Sequence, residues 1–429
     1  MTLFDAYGRP IDMRALEREH VDEDNPLLAL PTDSVAARLN PIRLANLLRD
    51  ADEGDPLAFL TLAQEMEERD LHYRGVLFQR RAVISGLRPA VEAVDDSADE
   101  AAIADEVRGL VLEPWFHDLV FQAMDAVAKG VSIVEILWET SEQQWRPKGV
   151  RWRDPRWYRH GRSVEDLRVD DQTAEGSPLP PGKYVRHLPQ LKSGEPLRQG
   201  LARVASASHI AKSYTVRDLM RFLETFGIPP RIGWHHANET KQRKAALLRV
   251  VRALGTDAAA VVPEGTRVEF LDTPRGSSSA AFLESADWWD RQVSKAVLGQ
   301  TSSSDGGAGD YKASQQHQGV RMDLARHDSL QVQTSIHRDL TRIFVDLNFG
   351  PRRRYPRITL PVPVPEDLTK FAAAVTPFVD RGLRVSERQI REKLGLTEPE
   401  EDEPLLKARP VGTQSPAGDA PGSQTPVDA

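Results

Sequence analysis

The side chains that best match a metal-binding pattern are His235, His236 and Glu239. Imidazole nitrogens and carboxylate oxygens are common zinc ligands. The surrounding residues, however, predict a short strand over 231–236, and neighbouring residues of a strand point to opposite faces. The two histidines therefore cannot both reach one ion easily, and a solvated strand end explains them better.

Three further histidines, His317, His327 and His337, recur at intervals of ten residues in a region that predicts a long helix. Ten residues turn a helix by about 1000°, roughly 80° short of three full turns, and advance it by about 15 Å. The three rings therefore drift around the helix and form no common site. Surface or subunit-contact histidines are the better interpretation.

The other charged clusters carry weaker signals. The carboxylate pairs at 95–96 and 170–171 stand among turn-forming residues, where solvated turns are more common than acid–base pairs. The run RRRYPR at 352–357 is the densest basic cluster and begins with Arg352, Arg353 and Arg354. It could contact DNA or an acidic partner. It could equally be an exposed loop beside the negative end of a helix dipole.

Composition excludes several classes of chemistry. The 429 residues contain no cysteine, which excludes disulfides, cysteine-ligated zinc, iron–sulfur clusters and a thiol nucleophile. No P-loop, HExxH or GxSxG motif is present. The net charge of −8 argues against tight, sequence-independent DNA binding by the whole surface. No apolar run approaches the roughly 20 residues that span a bilayer, and no signal peptide is predicted.

The elements that must position any site predict an α+β domain over about 55–205. A helix is expected over 56–81, with Asp55 and Pro56 at its start, followed by a strand over 87–94. Helices over 97–112 and 114–128 come next, with Gly130 closing the second. Strands are predicted for VSIVEILWE, for 145–152 and for 184–189.

A small module follows between two helices with apolar faces. The first helix covers 207–226 and ends at Gly227 before two prolines. The module is predicted to contain a strand over 231–236 and a helix over 239–254 that Asn238 caps. A hairpin that pairs 258–262 with 266–271 is then predicted. The second flanking helix covers 279–298. A polar, glycine-rich run, QTSSSDGGAGD, leads into a helix over 313–347, a strand RITLPVPVP, two short helices within 365–394 and an acidic, proline-rich tail.

This order of elements resembles the portal proteins of tailed phages. The local strings GLARVASASHIAKSYTVRDLMRFLETFGIPPRIGWH, DWWDRQVSKAVLGQTSSS and SQQHQGVRMDLARHDSLQVQTSIHRDLTRIFVDLNFG are similar to the Mu-like portal subfamily. The resemblance covers roughly 60–395. It implies an α+β portal fold with a wing, a two-helix stem, a small αβ clip, a long connecting helix and a short helical crown.

The resemblance divides the chain as follows: arm 1–55, wing 56–206, first stem helix 207–226, clip 227–278, second stem helix 279–298, tunnel loop 299–312, long helix 313–349, wing strand 350–365, crown 366–396, and tail 397–429. The crown is shorter than the long helical barrel of some portals. A ring of twelve subunits is implied, set at one capsid vertex.

The resemblance also implies roles for residues. The tunnel loop would face the DNA with Gln300, Thr301, Ser302, Ser303, Ser304, Asp305, Gly306, Gly307, Gly309 and Asp310. The clip would bind partners through Arg231, Trp234, Lys241, Arg243 and Lys244, although solubility and ion pairing explain its basic face equally well. Subunits would meet at Phe222, Phe226, Trp288 and Trp289, although paired tryptophans are most often core.

The implied partners are double-stranded DNA, bound without sequence specificity, the large terminase, a head–tail adaptor, and the major capsid protein or a scaffold. The implied location is the virion neck, after assembly in the host cytoplasm. No cofactor, metal, membrane or enzymatic activity is expected. Two other functions remain open: a different head–tail connector or minor capsid protein, and a metal-dependent nuclease or hydrolase.

Overall fold

The computed structural model describes residues 2–21, 30, 33–141, 143–160, 167–171, 173, 175–226, 231–236, 238–253, 259–263, 275–300, 311–363, 377 and 386. One compact unit covers Met1–Pro363, and a second covers Val364–Ala429. The glycine-rich run from Thr301 to Asp310, the hairpin arm 266–271 and the tail lie outside the described residues. Of the predicted crown, only Pro377 and Ser386 are described.

The described part of the first 85 residues contains four α-helices: α1 (Met13–Glu17), α2 (Pro41–Asp52), α3 (Leu57–Arg69) and α4 (Leu71–Ser85). The single helix predicted over 56–81 is wrong, because it breaks at Asp70. The Asp70 carboxylate accepts the backbone N–H groups of His72 at 3.1 Å and Tyr73 at 3.2 Å. Asp70 therefore caps α4 and starts a new helix without any glycine or proline.

The next elements are β1 (Ala90–Glu92), α5 (Ala98–Leu112), α6 (Pro114–Ala123) and α7 (Ala126–Lys129). Ser97 caps α5 by accepting the N–H of Glu100, which confirms the predicted helix. The helix predicted over 114–128 is divided in two. Gly130 ends α7 with φ of 90°, a left-handed conformation that glycine adopts readily.

The wing sheet consists of β2 (Ser132–Ser141), β3 (Gln144–Arg153) and β7 (Tyr184–His187), in the order β3–β2–β7 and antiparallel throughout. Ile133, Val134 and Ile136 of β2 are fully buried, which confirms the predicted central strand. A second small sheet joins β4 (Tyr158–Arg159), β5 (Arg168–Val169) and β6 (Ser177–Pro178).

The predicted arm is partly incorporated into the wing. Leu3, Ile11 and Leu16 are buried in the main hydrophobic cluster. Glu135 of β2 accepts the backbone N–H of His20 at 2.6 Å. It also pairs with Arg153 of β3 at 2.8 Å, and the side chains of Glu135 and Arg153 are both fully buried. A buried ion pair thus fixes the segment that enters the sheet.

The two long helices predicted around the small module are α8 (Leu201–Phe226) and α10 (Arg275–Leu298). Phe222 contacts Phe282, and Lys212 contacts Asp290, so the helices run antiparallel along each other. The described part of the module contains β8 (Arg231–His235), α9 (Lys241–Ala253) and β9 (Ala259–Pro263).

The first strand of the predicted hairpin is confirmed as β9, whereas its second strand, 266–271, lies outside the described residues. β9 also pairs in parallel with β8, from Arg231 opposite Ala259 to His235 opposite Pro263, a pairing that was not predicted. The helix α9 makes the crossover that a parallel pair requires. Its first turn is capped by Thr240, whose hydroxyl accepts the N–H of Arg243 at 3.4 Å, and not by Asn238 as predicted.

The long helix begins at Tyr311 and contains a π-helical segment. It consists of α11 (Tyr311–Ile336), the π segment His337–Thr341 and α12 (Arg342–Phe349). After Gly350 the chain forms β10 (Arg357–Thr359), which pairs antiparallel with β1. The last strand in the described part of the chain therefore returns to the strand that follows α4.

Candidate subunit and partner interfaces

An ion cluster joins the two long helices α8 and α10 to the wing. The Asp70 carboxylate lies 3.2 Å from Nδ1 of His209 and accepts a hydrogen bond from Nζ of Lys212 at 3.0 Å. Lys212 also donates to Asp290 of α10 at 2.6 Å. Burial opposes ionisation of Asp70, but the hydrogen bonds from His209 and Lys212 outweigh it and hold its pKa well below the usual range. Asp70 is thus ionised. It joins α4 to α8 directly and to α10 through Lys212.

A second buried ion pair lies where α10 ends and α11 passes. Arg80 of α4 donates from Nε and Nη2 to both carboxylate oxygens of Asp328, at 2.7 and 2.9 Å. Its Nη1 donates to the carbonyl oxygen of Val297 at 2.8 Å. Arg80 and Asp328 are only 7% and 2% exposed. One guanidinium therefore holds both helices that flank the predicted tunnel loop.

The ends of that loop are partly described. Gly299 has φ of 69°, and a Cβ on it would lie 2.9 Å from Cγ1 of Val320, so any other residue there would be strained. Gln300 is buried. The remaining predicted loop residues, from Thr301 to Asp310, lie outside the described part of the chain.

The predicted subunit-contact residues have different environments. Phe222 is half-buried and packs on Phe282 of the same chain, with ring centroids 6.0 Å apart. Trp288 is 51% exposed and meets the half-buried Trp289 edge to face at 4.6 Å. The side chain of Phe226 lies outside the described part. Of the four, Trp288 offers the largest described apolar surface to a partner.

Sequence reasoning missed an exposed apolar face on α4. Leu71 is 88% exposed and Phe78 is 58% exposed, and Gly75 lies between them on the same side of the helix. We call these three residues the α4 face. The missed signal was the glycine inside a run that otherwise has helical periodicity.

The described residues among the predicted clip contacts form a surface that is basic and partly aromatic. Lys241 and Arg243 are exposed, and Lys244 is half-buried. Arg243 pairs with Glu239 at 3.2 Å, while Trp234 is 54% exposed. The side chain of Arg231 lies outside the described part. The described basic groups project from one helix, α9.

The candidate metal ligands are not brought together. His235 is buried, and its Nδ1 lies 2.7 Å from the carbonyl oxygen of His236. His327 is exposed and His337 half-buried, ten residues further along. Among the described residues, no group of His, Asp or Glu side chains is arranged to hold a metal ion.

The basic run after α12 lines a surface cavity of about 430 Å³ together with Val94. Arg352 donates to Glu100 of α5 at 2.6 Å, and Arg353 and Arg354 are exposed. One of the three guanidinium groups is therefore used to attach the loop to α5. The other two face solvent.

Comparisons with known proteins agree with this architecture. The family described as the portal protein of Mu bacteriophage matches residues 60–396. The Mu-like prophage FluMu protein gp29 of Haemophilus influenzae is 33% identical over 94% of this chain and 80% of its own length. The portal protein of Escherichia phage Mu is 31% identical over 95% of this chain and 81% of its own length.

Structural comparison identifies a crystal structure of an HK97-family phage portal protein from Corynebacterium diphtheriae. It shares 13% sequence identity and covers 73% of this chain and 94% of that one, with a TM-score of 0.38. Separately, within the described residues, no helix is both long and apolar enough to cross a membrane.

Proposed function

Because this chain belongs to the family of Mu-like phage portal proteins, we propose that twelve copies close into a ring at one capsid vertex. The ring forms the channel through which double-stranded DNA is packaged and ejected. The observation that carries this proposal is the family match over 60–396, joined to an antiparallel helix pair fixed to an α+β wing. The role is structural, and no catalytic step is assigned to the chain.

In this proposal each part of the subunit has one task. The wing, 56–206 with the strand region 350–365, forms the outer body, and α8 and α10 form the stem that lines the ring. The clip, 227–278, faces the large terminase and later the neck proteins. Arg80 supports the proposal for the tunnel loop, since it fixes both helices from which the loop projects.

The charge of the loop suits a duplex that must slide. Each phosphate that a protein neutralises adds affinity through counterion release, so a strongly basic channel would hold the DNA. The loop contains Asp305 and Asp310 among serine, threonine, glutamine and glycine. We therefore expect weak contacts that do not depend on base sequence.

The clip is proposed to dock first the large terminase and then the head–tail adaptor, while the wing contacts the major capsid protein or a scaffold. Subunits would assemble in the host cytoplasm and remain in the virion neck. The exposed lysine and arginine side chains of α9 would attract an acidic partner. Reversing Lys241, Arg243 and Lys244 to glutamate should abolish terminase or adaptor binding in a pull-down while native mass stays unchanged. Undiminished binding of both partners would remove this role from α9.

The ring itself is tested by the native mass of the purified chain, with negative-stain imaging of the same fraction. Twelve copies of the 47.9 kDa chain weigh about 575 kDa and should appear as rings with a central hole. A compact dimer without a hole would overturn the proposal.

The loop is tested by deleting residues 301–309. The deletion should leave rings intact but reduce the DNA packaged per particle. Rings that package and retain the normal amount of DNA would exclude a channel role for this loop.

A further inference from the structure

We propose that the segment Leu16–His20 is a releasable strap, which occupies a charged site in the wing at neutral pH and leaves it when the solution is acidified. The strap supplies the negative charge that the buried part of this site lacks. The inference concerns a single subunit and goes beyond the proposed ring, since it holds whether or not copies of the chain associate.

The wing part of the site consists of three charged side chains that solvent hardly reaches. Glu135 of β2 and Arg153 of β3 are fully buried and lie 2.8 Å apart. Lys183, which directly precedes β7, is 1% exposed, and its Nζ lies 3.8 Å from Oε1 of Glu135. One carboxylate thus faces two cations, so the buried part of the site carries one surplus positive charge. A buried charge without a partner is strongly unfavourable.

The strap supplies the groups that complete this site. The carboxylate of Glu19 pairs with Arg153 and, at 2.6 Å, with Arg151 at the exposed rim. The carbonyl oxygen of Leu16 accepts a hydrogen bond from Nζ of Lys183 at 2.6 Å. With Glu19 in place, two carboxylates balance the two buried cations. The strap therefore acts as a ligand that neutralises its own binding site.

His20 makes this arrangement sensitive to protons. Its backbone N–H donates to Glu135 at 2.6 Å, and its ring Nδ1 lies 2.7 Å from the hydroxyl of Tyr184. Burial lowers the pKa of His20, and the charges of Lys183 and Arg153 act in the same direction. A protonated ring would restore the surplus positive charge. The docked strap therefore requires a neutral histidine.

The direction of the pH effect follows from the two titratable groups of the strap. The pKa of His20 is below 6.5 in the docked strap, so protonation below about pH 6.5 favours the free strap. Burial opposes ionisation of Glu19, but Arg153 and Arg151 outweigh it and lower its pKa. Protonation of Glu19 at still lower pH therefore weakens docking further. The wing groups that face the strap are Glu135, Arg151, Arg153, Lys183 and Tyr184, with Tyr158 packed behind Tyr184.

Hydrogen exchange of the full-length chain, measured by mass spectrometry, tests the release. The protection factor of the peptide 13–21 compares its exchange rate with that of an unstructured peptide at the same pH. The peptide 98–112 of α5 reports opening of the wing as a whole. Relative to it, protection of the strap should fall several-fold between pH 7.5 and 5.0. His20 alone can contribute a factor of at most about 30, because pH 5.0 lies about 1.5 below its ordinary pKa of 6.5. A constant ratio over this range would overturn the release.

His20→Gln identifies the group that takes up the proton. Glutamine stays neutral and can still form a hydrogen bond with Tyr184, so the strap should dock. The protection ratio of this variant should change little between pH 7.5 and 5.5, where the wild-type ratio already falls. A ratio that falls as steeply as in the wild type would refute the role of His20.

Glu19→Gln tests the charge of the strap at constant pH. At pH 7.5 it should lower the protection of the strap by about tenfold or more, because hydrogen bonds to a charged group are lost beside the buried Arg153. Glu17→Gln is the matched control, since Glu17 is exposed in the same segment and forms no ion pair with any described residue. Equal protection in the two variants would overturn the proposal, and it would leave the proposed ring in place.

Discussion

Replacing Arg80 by methionine should destabilise the subunit more than replacing any exposed arginine. The change leaves the Asp328 carboxylate, 2% exposed, without its partner. Removing one member of a buried ion pair typically costs about 3–5 kcal/mol, because the remaining charge is neither hydrated nor paired. The carbonyl oxygen of Val297 also loses its donor, which adds roughly 1 kcal/mol.

The assay is urea denaturation of the purified full-length chain, followed by far-ultraviolet circular dichroism. Arg326→Met is the control, since Arg326 pairs with Asp323 at 2.8 Å on the same helix, α11, with both side chains largely exposed. Exposed pairs of this kind contribute little to stability, so the control should move the midpoint only slightly.

A double variant isolates the reason for the loss. Arg80→Met with Asp328→Leu removes both charges and should recover most of the stability, because an apolar pair of similar volume carries no desolvation cost. A loss below about 1 kcal/mol for Arg80→Met would show that the pair behaves like a surface pair. A double variant as unstable as the single one would show that packing, and not charge, explains the effect.

Two further predictions concern the wing. Burial lowers the pKa of His187 to about 3, with the Arg338 charge acting in the same direction, so the unfolded chain binds the extra proton first as the pH falls. Stability should therefore decline below about pH 6.5. Between pH 7.5 and 4.5 the free energy of unfolding, measured by urea denaturation, should fall by about 2–3 kcal/mol less in His187→Asn than in the wild type. Equal losses in the two proteins would show that His187 is hydrated in the folded chain. Gly130→Ala should cost about 2–4 kcal/mol by the same assay, because φ is 90° and a Cβ would collide with the carbonyl oxygen of Pro196. Gly8→Ala, with φ of 78° and open space, should cost clearly less, and equal costs would exclude the collision as the cause.

The elements predicted most accurately are those whose signals are local. Ser97 accepts the N–H of Glu100 and fixes the start of α5 within three residues. The nearly continuous apolar run of β2 likewise identifies a buried strand whose partner follows directly. In both elements the determining contacts lie within a few positions along the chain.

The features that sequence reasoning missed depend on distant residues. The ion cluster at Asp70 depends on His209 and Lys212, which lie 139 and 142 positions away. The parallel pairing of β8 with β9 depends on α9 crossing between them, and apolar periodicity does not reveal strand direction. The predicted subunit-contact residues show the same limit, because Phe222 and Trp288 are both aromatic side chains on long helices, but Phe222 is half-buried and Trp288 exposed in the fold.

The pairing of β1 with β10 bears on the order in which the protein matures during its synthesis. The hydroxyl of Thr359 donates to the carbonyl oxygen of Ala90, two residues that lie 269 positions apart. A nascent chain emerges from its amino end. In the described part of the chain, β1 therefore has no partner strand until the ribosome has produced α8, α10, the module between them and α11. Truncated translation products that stop before Arg357 would contain these helices but leave β1 without β10.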